Sequence, residues 1–386
     1  MKILYDDNMP YAAEYFTSLG ETKAFTAGRL SEQDLAKCEA LLVRSTTTVD
    51  AQLLQRAPNL RYVATATSGF NHLSLSDIEA ANIKWYAAGG CNARAVAEYI
   101  LASMFMLAER QGFMLQDKTV GIVGLGNVGQ ALEALLQALD IHMVKYDPPR
   151  AELDASFVSA SFEEVISADI ISLHVPLTRS GNYPTEHMFN AEVLEKLTAQ
   201  QILINACRGE VLDNQALLIG MRANREKMPT VGLDCWENEP TIERELIPYL
   251  AFATAHIAGH SLEGKARGTD MVYRDLCRFL SIEAEHQLSD FLPRYEAVAI
   301  DAENSNNAKI NLSHQTIVSQ SIKSMYDIEN DDSFFRRYMA NSRSFSEIRR
   351  SYPVRREWPA AKITISNKCA AQTLKKLGFR LANDSK

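Results

Sequence analysis

The sequence predicts an α/β protein built from two doubly wound parallel sheets, completed by a small C-terminal α+β domain. Three observations carry this reading. Short apolar runs alternate with helical stretches over the first 90 residues. From residue 119 the apolar runs start roughly every 22–32 residues, the spacing of repeated βα units. The last hundred residues or so break that rhythm.

In the first unit, residues 3–5, 41–43, 62–64 and 83–86 read as strands, and residues 11–19 and 31–37 as helices. Strands alternating with helices argue for a parallel sheet. A long helix at 94–110 ends the unit. Its apolar run is interrupted by Glu98 and is too short to span a bilayer, so it reads as a buried helix. The second unit offers strands at 119–123, 142–146, 170–174, 202–205, 230–233 and 252–254, and a helical stretch follows from Glu263. Beyond it, 301–309 is polar and loop-like, while 309–312 and 362–366 alternate like half-buried strands. Residues 371–377 read as a helix with Gly378 as its C-terminal cap. The expected domains are 1–93 with 256–285, 94–255, and 286–386.

Composition narrows the class. The 386 residues suffice for two or three domains, and 46% hydrophobic with 23% charged residues excludes a disordered or fibrous chain. A net charge of −8 argues against nucleic acid or an anionic membrane as a partner. Six scattered cysteines form no C-x-x-C pair and no zinc spacing, so neither a disulfide framework nor a metal is expected. Asp6 and Asp7 sit in an N-terminus without an apolar signal core, and a cytoplasmic protein is expected.

Gly124-Leu125-Gly126-Asn127-Val128-Gly129 follows the apolar run 120–123 and opens an Ala/Leu-rich helix. This is the G-x-G-x-x-G pattern of a Rossmann dinucleotide site in its strand–turn–helix setting. Gly124 allows the tight turn, Gly126 lets backbone approach a pyrophosphate, and Gly129 lets the helix pack on its strand. Asp147 follows the next strand, 18 residues after Gly129. A carboxylate there accepts hydrogen bonds from an adenosine ribose and repels a 2′-phosphate, favouring NAD over NADP.

Three further segments fall at predicted strand ends, where ligands collect in open α/β sheets. They carry Arg208, Glu239 and His256. The set suits oxidation of a 2-hydroxy acid. Arg208 can clamp a carboxylate, His256 can take the hydroxyl proton, and Glu239 can hold the imidazole in one tautomer. Arg44, beside Ser45, is the first candidate for a substrate anion. The basic run of Arg349, Arg350, Arg355 and Arg356 is a second.

Several segments together resemble the D-isomer-specific 2-hydroxyacid dehydrogenases. They are Lys2-Ile3-Leu4 with Asp7-Asn8-Met9-Pro10, Val43-Arg44-Ser45, Gly90-Cys91-Asn92-Ala93, Asp147-Pro148-Pro149-Arg150, Ile204-Asn205-Ala206-Cys207-Arg208-Gly209, and His256-Ile257-Ala258-Gly259 with Leu262-Glu263-Gly264-Lys265-Ala266-Arg267-Gly268. The resemblance is strong to about residue 280 and weaker beyond. Within that family it is to members that oxidise 4-phospho-D-erythronate to 3-hydroxy-2-oxo-4-phosphooxybutanoate with NAD, on the route to pyridoxal phosphate. It implies that Arg208, Glu239 and His256 carry the chemistry. It further implies that Ser45, Thr67 and His260 meet the phosphorylated acid, and that Asp147, Val175, Ala206, Cys207, Asp234 and Gly259 meet NAD. The family pattern has Tyr where this chain has His260, and Thr where it has Val175. A homodimer assembled through the C-terminal domain is also implied. Two other functions use the same architecture: another D-2-hydroxyacid dehydrogenase, for instance one acting on phosphoglycerate, and an NAD-sensing protein of the corepressor kind.

Overall fold

The computed structural model describes residues 1–294, 297–299, 314–341 and 343–382. The chain divides into two compact units: Met1–Ala93 with His260–Arg294, and Arg94–Gly259 with Tyr295–Lys386. The second crossing of the chain falls between residues 259 and 260, four residues after the boundary read from the sequence.

The first unit holds a five-stranded sheet of β1 (Lys2–Asp6), β2 (Glu21–Phe25), β3 (Ala40–Val43), β4 (Tyr62–Thr65) and β5 (Lys84–Ala87). The order is β2-β1-β3-β4-β5 and every pair is parallel. β3 and β4 are buried along their whole length, as strands covered on both faces must be. The helix Leu262–Leu280 packs on this sheet and on the helix Ala12–Phe16, and one carboxylate ties it to each. Asp270 accepts from Tyr15 Oη at 3.0 Å and Asp275 from Tyr62 Oη at 2.7 Å.

The second unit holds six parallel strands: β6 (Thr119–Val123), β7 (His142–Tyr146), β8 (Ile170–Leu173), β9 (Ile202–Asn205), β10 (Thr230–Leu233) and β11 (Phe252–Ala253). Their order is β11-β10-β9-β8-β6-β7. From β6 the chain steps to β7 on one side and then to β8 on the other. The carboxyl ends of β6 and β8 therefore flank a topological switch point, where doubly wound sheets bind ligands.

The third sheet is small and parallel, in the order β12-β13-β14, with β12 at Ala297–Ala299, β13 at Lys362–Thr364 and β14 at Arg380–Leu381. The expected loop at 301–309 and strand at 309–312 lie outside the described residues. Among the described residues, four α-helices accompany this sheet: His314–Met325, Ile328–Ala340, Phe345–Ser351 and Lys368–Lys376. The last ends as the sequence indicates, with Gly378 at φ 95°.

This C-terminal segment shares the core of the second unit. Val318, Ile322 and Trp358 pack in one cluster with Leu101, Leu135 and Ile204. Phe335, Met339, Phe345 and Ile348 join another with Leu233 and Trp236. The helix Ile328–Ala340 also closes the β11 edge. Buried Asp332 accepts the Ala253 N–H at 2.7 Å, and Arg336 donates to the carbonyls of Ile247 (2.8 Å) and Leu250 (2.9 Å). An edge strand otherwise leaves such groups open to pairing with other chains. Among the described residues, no helix is long and apolar enough to cross a membrane.

Candidate active site

The glycine turn is built as its pattern requires. Gly124 has φ 96°, and a Cβ there would lie 2.9 Å from the His174 carbonyl carbon and from Val175 Cγ1. Only glycine lets the turn after β6 lie so close to the segment after β8. Val175 thus lines the switch point that the sequence assigned to NAD. A Cβ on Gly129 would meet Gly124 O at 2.0 Å, so this glycine sets the packing of helix on strand. Around Gly126 a Cβ would meet nothing within 4 Å. That open space faces the start of the helix Asn127–Gln137, which no side chain caps. Exposed Asn127 and half-buried Val128 stand at its first turn. Uncapped N–H groups and free room fit a dinucleotide pyrophosphate.

Asp147 binds its own surroundings as well. One carboxylate oxygen accepts the Leu125 N–H inside the glycine turn at 2.6 Å, and the other accepts the Arg150 N–H at 3.0 Å, capping the following helix. The carboxylate is therefore fixed beside the glycine turn. His174 is buried and has Ser172 Oγ 2.9 Å from Nε2. Burial pushes its pKa down to about 3, so the ring is neutral.

The turn after β9 presents Arg208. Buried Asn205 shapes it, accepting the Cys207 N–H at 3.1 Å and donating to Arg208 O at 2.9 Å. Ala206 and Cys207 are buried in that turn, and burial pushes the Cys207 thiol up to about 11. Arg208 is half-buried and donates from Nη1 to Cys207 O at 2.7 Å. Among the described residues its Nε and Nη2 make no hydrogen bond, which leaves donors for a carboxylate. Gly209 brings this turn against the next segment, since a Cβ there would lie 1.9 Å from the Trp236 carbonyl carbon.

That next segment, after β10, carries Glu239. Its Oε1 accepts the Trp236 N–H at 2.9 Å, and its Oε2 lies 2.8 Å from Nδ1 of His256. Burial works against ionisation of Glu239. The His256 imidazole, the Trp236 N–H and the Arg349 charge outweigh it, and the carboxyl sits below its usual range. An ionised Glu239 can only accept, so Nδ1 of His256 carries the hydrogen. In the neutral ring, Nε2 is then left with the lone pair of a base.

Asp234, assigned to NAD from the sequence, is buried with both oxygens engaged. It accepts from Thr254 Oγ1 at 2.6 Å, the Ile257 N–H at 2.7 Å and the Ala258 N–H at 2.9 Å. Its side chain therefore shapes the loop that carries His256 and leads to Gly259. The sequence carried no sign of that role, nor of those of Asn205 and Trp236. Asn205 lies in a motif legible in the sequence, but its turn-building depends on the folded backbone. The basic run splits between solvent and backbone carbonyls. Arg350 is exposed, Arg349 donates to His256 O at 3.1 Å, and Arg355 donates to Ala95 O at 2.8 Å.

The residues expected at the substrate belong to the first unit. Half-buried Arg44 and exposed Ser45 follow β3, and half-buried Thr67 follows its parallel neighbour β4, so all three stand at one carboxyl edge. Thr67 donates to Gly69 O at 2.8 Å and lies 2.7 Å from Thr65 Oγ1, which in turn lies 2.9 Å from His72 Nε2. Burial first, and then the Arg44 charge, push the His72 pKa down to about 4. His260 precedes Ser261, which caps the helix Leu262–Leu280.

Comparison with known proteins gives a consistent picture. Residues 94–260 match the family described as D-isomer specific 2-hydroxyacid dehydrogenase, NAD binding domain. Residues 291–378 match a domain of unknown function, DUF3410. The chain is 43% identical over 379 residues to an erythronate-4-phosphate dehydrogenase of Pseudoalteromonas atlantica, covering 98% of this chain and 99% of that one. It is 42% identical to the Proteus mirabilis protein of the same name, with 98% and 99% covered, and 40% identical to the Escherichia coli one, with 98% of each covered. Among solved structures, D-lactate dehydrogenase from Aquifex aeolicus, complexed with NAD and lactic acid, is similar in fold. Its TM-score is 0.58 at 24% identity, over 72% of this chain and 95% of that one. NAD-dependent formate dehydrogenase from Staphylococcus aureus has the same TM-score of 0.58 at 24% identity, with 72% and 96% covered.

Proposed function

For this chain, which belongs to the erythronate-4-phosphate dehydrogenase family, we propose that it oxidises 4-phospho-D-erythronate at C2, with NAD as the hydride acceptor. The observation that carries the chemistry is the pair formed by His256 Nδ1 and Glu239 Oε2 at 2.8 Å. It fixes one tautomer and leaves Nε2 as the base.

The chemistry supplied by bound NAD is acceptance of a hydride, two electrons and a proton, from C2. Gly124, Gly126, Asn127, Val128 and Gly129 would hold its pyrophosphate, with Asp147 at the ribose. Val175, Ala206, Cys207 and Gly259 would complete the contacts, and Asp234 would act through the loop it anchors. His256 Nε2 takes the hydroxyl proton while the C2–O bond becomes a carbonyl. Arg208 holds the substrate carboxylate and polarises the developing carbonyl. Glu239 stabilises the imidazolium that forms. Arg44, Ser45, Thr67 and His260 would meet the rest of the acid, with Arg44 as the cation nearest in kind to a phosphate group's need. The product is 3-hydroxy-2-oxo-4-phosphooxybutanoate, an intermediate on the way to pyridoxine 5′-phosphate.

We further infer that the enzyme acts as a homodimer in the cytoplasm without a nucleic-acid partner. The net charge of −8 and six scattered cysteines without a C-x-x-C pair support the last two points. Neither a phosphoglycerate dehydrogenase nor an NAD sensor is favoured, since relatives covering nearly the whole chain share one name.

The test is a substrate panel followed by NADH absorbance. 4-Phospho-D-erythronate should give the highest kcat/KM, by about tenfold or more over 3-phosphoglycerate and D-glycerate. Preference for either of the others would replace the substrate named here.

A further inference from the structure

The loop that carries His256 is held along its backbone from two sides, and one of the holds comes from far along the chain. Residues 254–259 form neither strand nor helix. His256 has φ 54°, a left-handed conformation that a non-glycine residue keeps only when its surroundings over-determine it. Asp234 takes the N–H groups of Ile257 and Ala258. The carbonyls are taken by two arginines of the C-terminal segment. Arg349 Nε donates to His256 O at 3.1 Å. Arg355 Nη2 donates to Ala258 O and also, at 2.8 Å, to Ala95 O.

Both arginines stand on fixed supports. Arg349 lies on the helix Phe345–Ser351, whose Phe345 and Ile348 are buried in the cluster that includes Trp236 and Phe335. A Ser344–Glu347 capping box starts that helix. Phe335 stacks on Trp236 with ring centroids 5.6 Å apart, and the Trp236 N–H binds Glu239. Arg355 lies over the Tyr326 ring at 4.3 Å, and Tyr326 donates to Asp331 at 2.8 Å. The charge of Arg349 also favours an ionised Glu239. Among the described residues, the two terminal amino groups of Arg349 make no hydrogen bond, so His256 O is its one fixed anchor.

We propose that Arg349 is a positioning residue for the oxidation, fixing the His256 backbone so that Nε2 meets the hydroxyl proton, with Arg355 as a second clamp. This rests on the reading of His256 as the base. It gives the C-terminal segment a part in the chemistry of its own chain.

The experiment compares R349A and R349K with wild type in the full-length protein. R349A should lose about tenfold or more in kcat, with KM for 4-phospho-D-erythronate and NAD affinity held within about threefold. R349K keeps the charge and one reach of donor, and should recover most of kcat. If R349A does not fold, R349Q should show the same loss. Wild-type kcat in a folded variant overturns the proposal. So does a raised KM with kcat intact, which would place Arg349 on the substrate instead. In parallel, NMR of the His256 ring nitrogens without substrate should show the Nδ1–H tautomer in wild type and its loss in R349A. Unchanged ring nitrogens overturn the proposal even if the substrate reading fails on its own terms.

Discussion

Oε2 of Glu239 lies 2.8 Å from Nδ1 of His256, and Oε1 of the same carboxylate accepts the Trp236 N–H at 2.9 Å. One side chain thus ties the imidazole to the backbone of the segment after β10. Glu239→Gln should keep the shape and lose the charge that stabilises an imidazolium. We expect kcat to fall roughly 10²-fold or more, with NAD affinity little changed. Steady-state kinetics beside a cofactor titration checks this, and an unchanged kcat would remove Glu239 from the mechanism.

Gly209 sets how close the Arg208 turn comes to that same segment, because an added Cβ would lie 1.9 Å from the Trp236 carbonyl carbon. Gly209→Ala must push backbone from backbone. It should destabilise the protein by roughly 1–3 kcal/mol or more and depress kcat/KM. Thermal unfolding with kinetics on the folded fraction separates the two effects.

Asp147 is held beside the glycine turn by the Leu125 and Arg150 N–H groups. Asp147→Ala removes the negative charge that would face a 2′-phosphate. The ratio of kcat/KM for NAD over NADP should drop roughly tenfold or more. An unchanged ratio would assign the preference to Arg150 or another group.

Glu98 supplies a pH test of how the C-terminal segment is attached. Its carboxylate accepts the Trp358 N–H at 3.1 Å and the Arg94 Nε–H at 2.6 Å. Burial pushes its pKa up to about 7 from an ordinary 4.5, against the pull of Arg94, and Glu357 adds to the rise. The folded value lies above the unfolded one. The stabilisation is therefore full below pH 4.5 and is lost as pH rises through about 7. The window corresponds to an order of 3 kcal/mol. Denaturant unfolding should show this slope in wild type and a flatter one in Glu98→Gln. Equal slopes would mean that Glu98 does not titrate there.

The parallel sheets were legible because their inner strands, such as β3, β4, β8 and β9, are buried end to end and read as apolar runs. β2 was not, since Glu21–Phe25 is an edge strand with mostly exposed side chains and no alternation. The helix Ile328–Ala340 hid behind a charged stretch in which Asp332 is buried, because its partner is a strand edge far away in sequence. Within the site, the glycine turn and the Arg208, Glu239 and His256 positions were readable from motifs at strand ends. The inward turn of Asp234 was not. Nor was the bond from Arg349 to His256, which spans 93 residues and depends on tertiary packing alone.

Single-turnover formation of NADH by His256→Asn, at saturating NAD and acid, tests the central claim most directly. If Nε2 of that ring takes the hydroxyl proton, the variant should be slower by roughly 10²–10⁴-fold, with its cofactor dissociation constant unchanged. A rate near that of wild type would contradict the account.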